Sequence, residues 1–133
     1  MTAKEFLQQV YIANKEIDAK LEQIARLQSL ATRTTSAIKG VPSGDSATNS
    51  RIENSIVLIH EKTAQLSAEL TRLLQVSEKV AVTIAAVRND KERMILEYRY
   101  LCFFSWENIS KMINVSLSSV FKLHNKALKK ILI

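Results

Sequence analysis

Residues 105–131, SWENISKMINVSLSSVFKLHNKALKKI, contain two helix-forming segments with a tight turn between them. Ser105 and Ser116 each stand directly before one of these segments, where a hydroxyl side chain caps a helix by accepting a bond from a backbone N–H. Asn114 lies between the segments, and Asn tolerates the positive φ of such a turn better than most residues do. The stretch therefore predicts two short helices in a helix-turn-helix arrangement.

Apolar residues mark one face of each of these helices, at the spacing of a buried helical side. The predicted inward faces consist of Trp106, Ile109, Met112 and Ile113, then Val115 under the turn, then Val120, Leu123, Ala127 and Leu128. Ser110 falls where the two helices cross closely, a place that requires a small side chain. Helices are predicted from Trp106 to Ile113 and from Leu117 to Leu132, after one from Asp90 to Leu101 that Asn89 caps.

Six of the eight aromatic residues lie between Tyr98 and Phe121, around this motif. A small domain needs such bulk to build a core, so core packing explains these rings better than base stacking. The predicted core members are Tyr98, Phe103, Phe104 and Trp106, with Cys102 packed among them as a small hydrophobic residue. Phe121 has two interpretations: it faces DNA if the last helix enters a groove, and otherwise it suits a protein partner.

Two long segments of apolar periodicity precede the motif. Thr2 and Glu5 form a capping box before a first helix from about Ala3 to about Ile38, and Gly40 and Pro42 end it. The polar residues of 40–49 predict a loop.

A second helix is predicted to begin at the capping box formed by Ser50 and Glu53. Its apolar residues recur every seven positions with a second series offset by four, which indicates a coiled coil. An antiparallel hairpin of two helices buries few residues on all sides, so we expect it to dimerise into a four-helix bundle. The predicted dimerisation residues are Ile52, Ile56, Ile59, Leu66, Leu70, Leu73, Val80, Ile84 and Val87.

The basic surplus of the chain lies in its last third. The formal net charge is +6, and residues 88–133 carry nine Lys or Arg against four Asp or Glu. Such a cluster is typical of a phosphate-binding module, although a solvated basic tail has the same composition.

Several functional classes find no support in the residues present. Gly40 and Gly44 are the only glycines, so no phosphate-cradling loop is possible, and the single Cys102 excludes an internal disulfide. His60 and His124 lack further ligands at metal spacing and are expected on the surface. No apolar run is long enough to cross a bilayer and no signal peptide is evident. We therefore predict a cytoplasmic protein that is not an enzyme and has no metal or cofactor.

The C-terminal segment resembles region four of bacterial sigma factors. The resemblance rests on ERMILEYRY at 92–100, SWENI at 105–109 and ALKKI at 127–131, about a third of the chain. The whole layout, a helical hairpin with a polar loop before this module, is similar to phage-encoded late-transcription regulators of the ArpU/RinA type. The resemblance implies an all-α fold with a hairpin for dimerisation at 1–88 and a three-helix DNA-binding domain at 89–133.

The resemblance also implies roles for individual residues. Base-reading positions fall at Leu117, Ser118, Phe121 and Lys122, and positions that contact the DNA backbone fall at Arg99, Ser105 and Lys111. The full predicted DNA-binding set adds Ser119, Asn125, Lys126, Lys129 and Lys130. Sigma factors usually carry Arg and Glu at the reading positions, so bidentate Arg–guanine readout is not expected in this chain.

The function that the resemblance implies is a DNA-binding transcriptional regulator in a bacterial host cell. It would act as a homodimer on double-stranded DNA of late or mobile-element genes, in contact with host RNA polymerase. Two alternatives remain open: a coiled-coil adaptor that binds RNA polymerase or another protein without reading DNA, and a packaging protein similar to small terminase subunits.

Overall fold

The computed structural model describes the backbone of residues 1–39 and 46–132, and the side chains of residues 1–33 and 50–132. The regular structure in these ranges is entirely helical, which confirms the predicted all-α class. The elements are α1 (Ala3–Lys39), α2 (Ser46–Ala85), α3 (Asp90–Leu96), a π-helical turn (Glu97–Leu101), α4 (Trp106–Ile113) and α5 (Leu117–Lys130). The predicted order of a long helical pair followed by a three-helix module is therefore confirmed.

The start of α1 has the predicted capping box. The backbone N–H of Glu5 donates to the Thr2 hydroxyl at 3.2 Å, and the N–H of Thr2 donates to the Glu5 carboxylate at 3.0 Å. Each residue thus satisfies a donor that the first turn of a helix leaves unpaired.

The predicted beginning of the second helix is wrong. α2 begins at Ser46, so the box formed by Ser50 and Glu53 lies inside the helix. The physical reason is that no Gly or Pro follows residue 44 in this segment, so nothing prevents the helix from starting earlier. Of the loop predicted over 40–49, residues 46–49 are helical and residues 40–45 lie outside the described part of the chain.

α2 and α3 are separate helices. α2 ends at Ala85, and the Asn89 side chain caps α3 by accepting from the N–H of Glu92 at 3.0 Å. The Arg93 guanidinium bridges this junction because it donates to the carbonyl of Val87 at 3.0 Å and to the carboxylate of Asp90 at 2.7 Å.

The chain divides into two compact units, Met1–Asn14 with Arg72–Ile133 and Lys15–Thr71. The first unit contains a core to which both ends of the hairpin and the C-terminal helices contribute. Its buried members are Leu7, Val10, Val80, Ile84, Val87, Leu96, Tyr100, Ala127 and Ile131. The start of α1 and the end of α2 therefore pack together in this unit.

In the second unit, the shielded side of α2 contains polar as well as apolar residues. Ile52, Ile59 and Leu66 are half-buried, whereas Ile56, Thr63 and Leu70 are exposed, Ile56 at 48% and Leu70 at 45%. The positions one residue earlier in each case are shielded instead: Ser55 is buried, and Lys62 and Glu69 are half-buried. The seam therefore alternates apolar and polar residues at three- and four-residue spacing, and it leaves some of the predicted dimerisation residues on the surface.

Candidate nucleic-acid interface

The turn between α4 and α5 has the backbone geometry that the sequence predicts. Asn114 adopts the left-handed conformation, with φ 54° and ψ 46°, and its N–H donates to the carbonyl of Ser110. The Ser110 hydroxyl donates to the carbonyl of Val115, so a small hydroxyl residue at the crossing also ties down the turn. The turn therefore fixes the direction in which α5 leaves α4.

Serine side chains cap both helices of the motif, as predicted. The Ser105 hydroxyl accepts from the N–H of Asn108 at 3.2 Å, and the Ser116 hydroxyl accepts from the N–H of Ser119 at 3.2 Å. These caps place the first residue of each helix.

A small apolar cluster holds the motif together. Its buried members are Ile95, Ile109 and Val120, and Tyr98, Phe104, Trp106, Ile113, Val115 and Leu123 pack around them. The prediction that Met112 faces inward is wrong, since that side chain is 52% exposed. Ile109 and Ile113 lie one turn apart and form the inward face of this short helix. Met112 lies outside that face.

The outer face of α5 is open to solvent. The exposed residues are Leu117, Ser118, Phe121, Lys122, Asn125, Lys126 and Lys129, and Lys111 of α4 is exposed as well. Leu117 and Phe121 are 36% and 41% exposed, so the two apolar side chains of this face are accessible along much of their surface. Ser119 is half-buried and its hydroxyl accepts a hydrogen bond from the Ser116 hydroxyl at 2.8 Å.

Lys130 has a partner inside the domain. Its Nζ lies 2.6 Å from the carboxylate of Glu92, whose side chain is only 3% exposed. Lys130 therefore neutralises a buried carboxylate and connects α5 to α3, a role that the sequence did not indicate.

Arg99 joins a row of stacked side chains that leads to the outer face of α5. Its guanidinium donates to the carbonyl of Phe104 at 3.0 Å and lies 4.4 Å from the centre of the Trp106 ring. The edge of Trp106 in turn meets Phe121 at a centroid distance of 5.4 Å. Arg99 is half-buried and Ser105 is exposed, so these two of the three predicted backbone-contacting positions reach the surface next to this row.

The prediction that His124 lies on the surface is wrong, because this side chain is 6% exposed and its Nε2 lies 2.7 Å from the Tyr100 hydroxyl. Burial, aided by the positive charges of Lys4 and Arg99, lowers the pKa of His124 to about 4. Burial raises the pKa of Tyr100 to about 12, against the lowering effect of Arg99. Both groups are therefore uncharged at neutral pH.

The chain between α3 and α4 passes through a π-helical turn that no pattern in the sequence indicates. The N–H of Cys102 donates to the carbonyl of Glu97 at 3.1 Å, and Phe103 follows with φ 62°. Cys102 is exposed in this arrangement, so its predicted packing in the core is wrong. The wider turn directs Tyr100 toward α5, while Phe103 is half-buried against the first unit's core.

The described residues lack the features of two other kinds of site. No helix within them combines the length and the apolar character that crossing a membrane requires. Within the same residues, no group of three or more His, Cys, Asp or Glu side chains is placed to hold a metal ion.

A family model described as Sigma-70, region 4 matches residues 89–131. No curated protein and no solved structure matches the chain. The matched range begins at Asn89, the cap of α3, and ends at Ile131, the last buried residue after α5. Residues 89–131 are therefore a sigma region-four-like helix-turn-helix, and this indicates a DNA-binding function related to transcription.

Proposed function

We propose that this protein is a transcriptional regulator that reads double-stranded DNA with the outer face of α5. The observation that carries the proposal is the exposure of all four predicted reading positions, Leu117, Ser118, Phe121 and Lys122, on one well-capped helix. α5 has 14 residues and is therefore about 21 Å long, and a helix of this size fits the major groove.

The side chains on this face suit one form of readout. Leu117 and Phe121 offer apolar contact to thymine methyl groups, and Ser118 is able to hydrogen-bond a base edge. Lys111, Lys122, Lys126 and Lys129 neutralise phosphates, and each such contact steepens the dependence of affinity on salt by about 0.9. The outer face of α5 should therefore bind the DNA phosphates strongly and prefer sites that contain A·T base pairs.

A charge reversal on α5 tests this proposal. We expect Lys122→Glu with Lys126→Glu to lower the affinity for duplex DNA in a mobility-shift assay by at least about a hundredfold near 0.1 M salt. Arg51→Glu with Lys79→Glu is the matched control, because both residues are exposed on α2 and the net charge changes equally. Equal affinities of the two double variants would overturn the proposed interface.

We further propose that residues 1–88 dimerise the protein while residues 89–133 bind DNA. Val80, Ile84 and Val87 are between 0% and 4% exposed within the chain's own core, so a second copy would have to use other residues of the predicted set. The exposed pair Ile56 and Leu70 fits that role. Ile56→Asp with Leu70→Asp should convert a dimer to a monomer in sedimentation equilibrium, and a wild-type monomer at micromolar concentration would contradict this proposal.

The resemblance to phage late-transcription regulators supports a role at late or mobile-element genes together with host RNA polymerase.

An adaptor without DNA readout is the second candidate, and the exposed apolar Leu117 and Phe121 favour it. Selection of bound duplexes from a random pool separates the two. A two-fold symmetric consensus supports the regulator, whereas capture of polymerase without any enriched sequence supports the adaptor.

A further inference from the structure

We propose that the first turns of α1 extend the DNA interface and bind the sugar–phosphate backbone beside the helix-turn-helix. This inference rests on the proposed function, because it assigns a second contact surface to the same complex. The residues that carry it are Lys4, Gln8 and Tyr11 of α1, together with Arg99 and Ser105.

All of these residues except Lys4 line one groove within the first compact unit. The groove has a volume of about 410 Å³, and Gln8, Tyr11, Arg99, Tyr100, Phe103 and Ser105 line it. Arg99 and Ser105 are, with Lys111, the positions at which the resemblance to sigma region four implies contact with the DNA backbone. The start of α1 therefore lies directly beside them.

An aromatic contact fixes α1 in this place. The rings of Tyr11 and Phe103 meet edge to face at a centroid distance of 5.8 Å. Phe103 has a positive φ of 62° after the π-helical turn, so the unusual backbone of that turn presents its ring to α1. From this groove, side-chain contacts lead from Arg99 to Trp106 and from Trp106 to Phe121.

The chemistry of this surface suits a phosphodiester. The lining residues within the described part of the chain provide a guanidinium, an amide and hydroxyl groups but no carboxylate. Lys4 is exposed one turn before Gln8 on the same side of α1, and its charge, like that of Arg99, helps to lower the pKa of His124. Cationic and neutral donors without competing carboxylates are the groups that contact DNA phosphates.

A small organic ligand fits the observations less well. The volume lies in the range of small-molecule sites, but such sites are mostly apolar and enclosed. Here Ser105 and Tyr11 are exposed, and the groove opens beside a helix that already carries a basic face. The backbone of a duplex that occupies α5 is therefore the better occupant.

The test uses the full chain and a mixed-sequence duplex of about 40 base pairs, with affinity measured by fluorescence anisotropy over a series of salt concentrations. We expect Lys4→Glu with Gln8→Glu to lower the affinity about tenfold or more and to reduce the salt slope by about 0.9. An acidic residue in the first turn of a helix is favourable, so Lys4→Glu does not endanger folding.

The matched control is Lys79→Glu with Gln75→Glu on α2. These two residues have the same chemistry and the same four-residue spacing, are exposed, and line a different groove of the same unit. We expect this control to change the affinity by no more than about twofold. A photo-crosslinking amino acid at Gln8 should attach to the duplex, and one at Gln75 should not.

Two results would overturn the inference while leaving the proposed function intact. In the first, Lys122→Glu with Lys126→Glu abolishes binding, but the α1 variant behaves like its control. In the second, inorganic phosphate binds saturably at Arg99 while the α1 variant retains wild-type DNA affinity, which would make the groove a small-anion site. If the Lys122 and Lys126 variant binds DNA normally, the proposed function itself fails.

Discussion

His124 and Tyr100 join two helical segments through a polar contact inside an apolar interior. Trp106 also meets the edge of the His124 ring at a centroid distance of 4.7 Å, so the imidazole is enclosed by aromatic side chains. A charged imidazole is costly in such surroundings because burial removes its hydration. Protonation of His124 should therefore loosen the packing of α5 against the π-helical turn.

This contact makes stability depend on pH in a definite direction. The pKa of His124 is 6.5 in its ordinary state and about 4 in the folded chain, so the unfolded chain binds protons more readily between these values. The stability that the buried, uncharged His124 contributes to the folded chain is fully present above pH 6.5 and is lost as the pH falls toward 4. Urea unfolding should show that His124→Gln has a weaker pH dependence than wild type in this window.

His60→Gln is the control for that measurement, because His60 is an exposed histidine whose removal leaves the buried contact intact. It should retain the wild-type loss of stability on acidification. If His124→Gln and wild type lose equal stability between about pH 7 and about pH 4.5, the burial of His124 does not cause the pH dependence.

The ion pair of Glu92 and Lys130 gives a second prediction at the scale of single residues. The Glu92 carboxylate is buried and Lys130 is half-exposed, so removal of the lysine leaves a carboxylate with little water around it. Lys130→Met should lower the free energy of unfolding by roughly 1–3 kcal/mol. Lys129→Met, one residue earlier and exposed, should change it by less than about 0.5 kcal/mol, and equal losses would refute the pairing.

At the scale of elements, the caps and the turn of the helix-turn-helix were predictable because their causes are local. Ser105 and Ser116 cap α4 and α5 by bonds to a residue three positions later, and Asn114 adopts the left-handed conformation of the turn. The exposed reading face of α5 follows from the same local periodicity. The sequence was therefore a sufficient guide to this part of the site.

The features that sequence reasoning missed depend on distant partners. The shielding of Ser55 rather than Ile56 is set by how the long helices meet, and heptad spacing alone allows either choice. The burial of His124 depends on Tyr100, 24 residues away, and on a π-helical turn without a residue signature. The ion pair of Lys130 also depends on a distant residue, since its partner Glu92 lies 38 residues earlier.

The N-cap of α5 should contribute measurably to stability. Ser116→Ala removes the acceptor for the N–H of Ser119 and should lower the free energy of unfolding by about 1 kcal/mol. Ser118→Ala, two residues later on the exposed face, keeps that bond and should have an effect below about 0.5 kcal/mol. Urea denaturation followed by circular dichroism distinguishes the two, and indistinguishable midpoints would rule out a stabilising cap.

At the scale of the whole molecule, the proposed boundary at residue 88 between the dimerising and the DNA-binding parts does not coincide with the boundaries of the compact units. Leu96, Tyr100 and Ala127 of the C-terminal helices are buried in one cluster with Leu7 and Val10 of α1 and with the end of α2. The start of α1 therefore supports the DNA-binding module from which it is distant in sequence.

This shared core predicts that a change in α1 destabilises the helix-turn-helix. Leu7 is fully buried, so Leu7→Ala should lower the free energy of unfolding by about 2–4 kcal/mol and weaken DNA binding at temperatures near the transition. Leu21→Ala, on the same helix but 49% exposed, should cost less than about 1 kcal/mol.

A fragment of residues 89–133 should likewise unfold at a lower temperature than the full chain, because its apolar face toward α1 and α2 would be exposed to water. Cooperative melting of that fragment at the melting temperature of the full chain would contradict this prediction. It would show that residues 89–133 fold stably without α1 and α2.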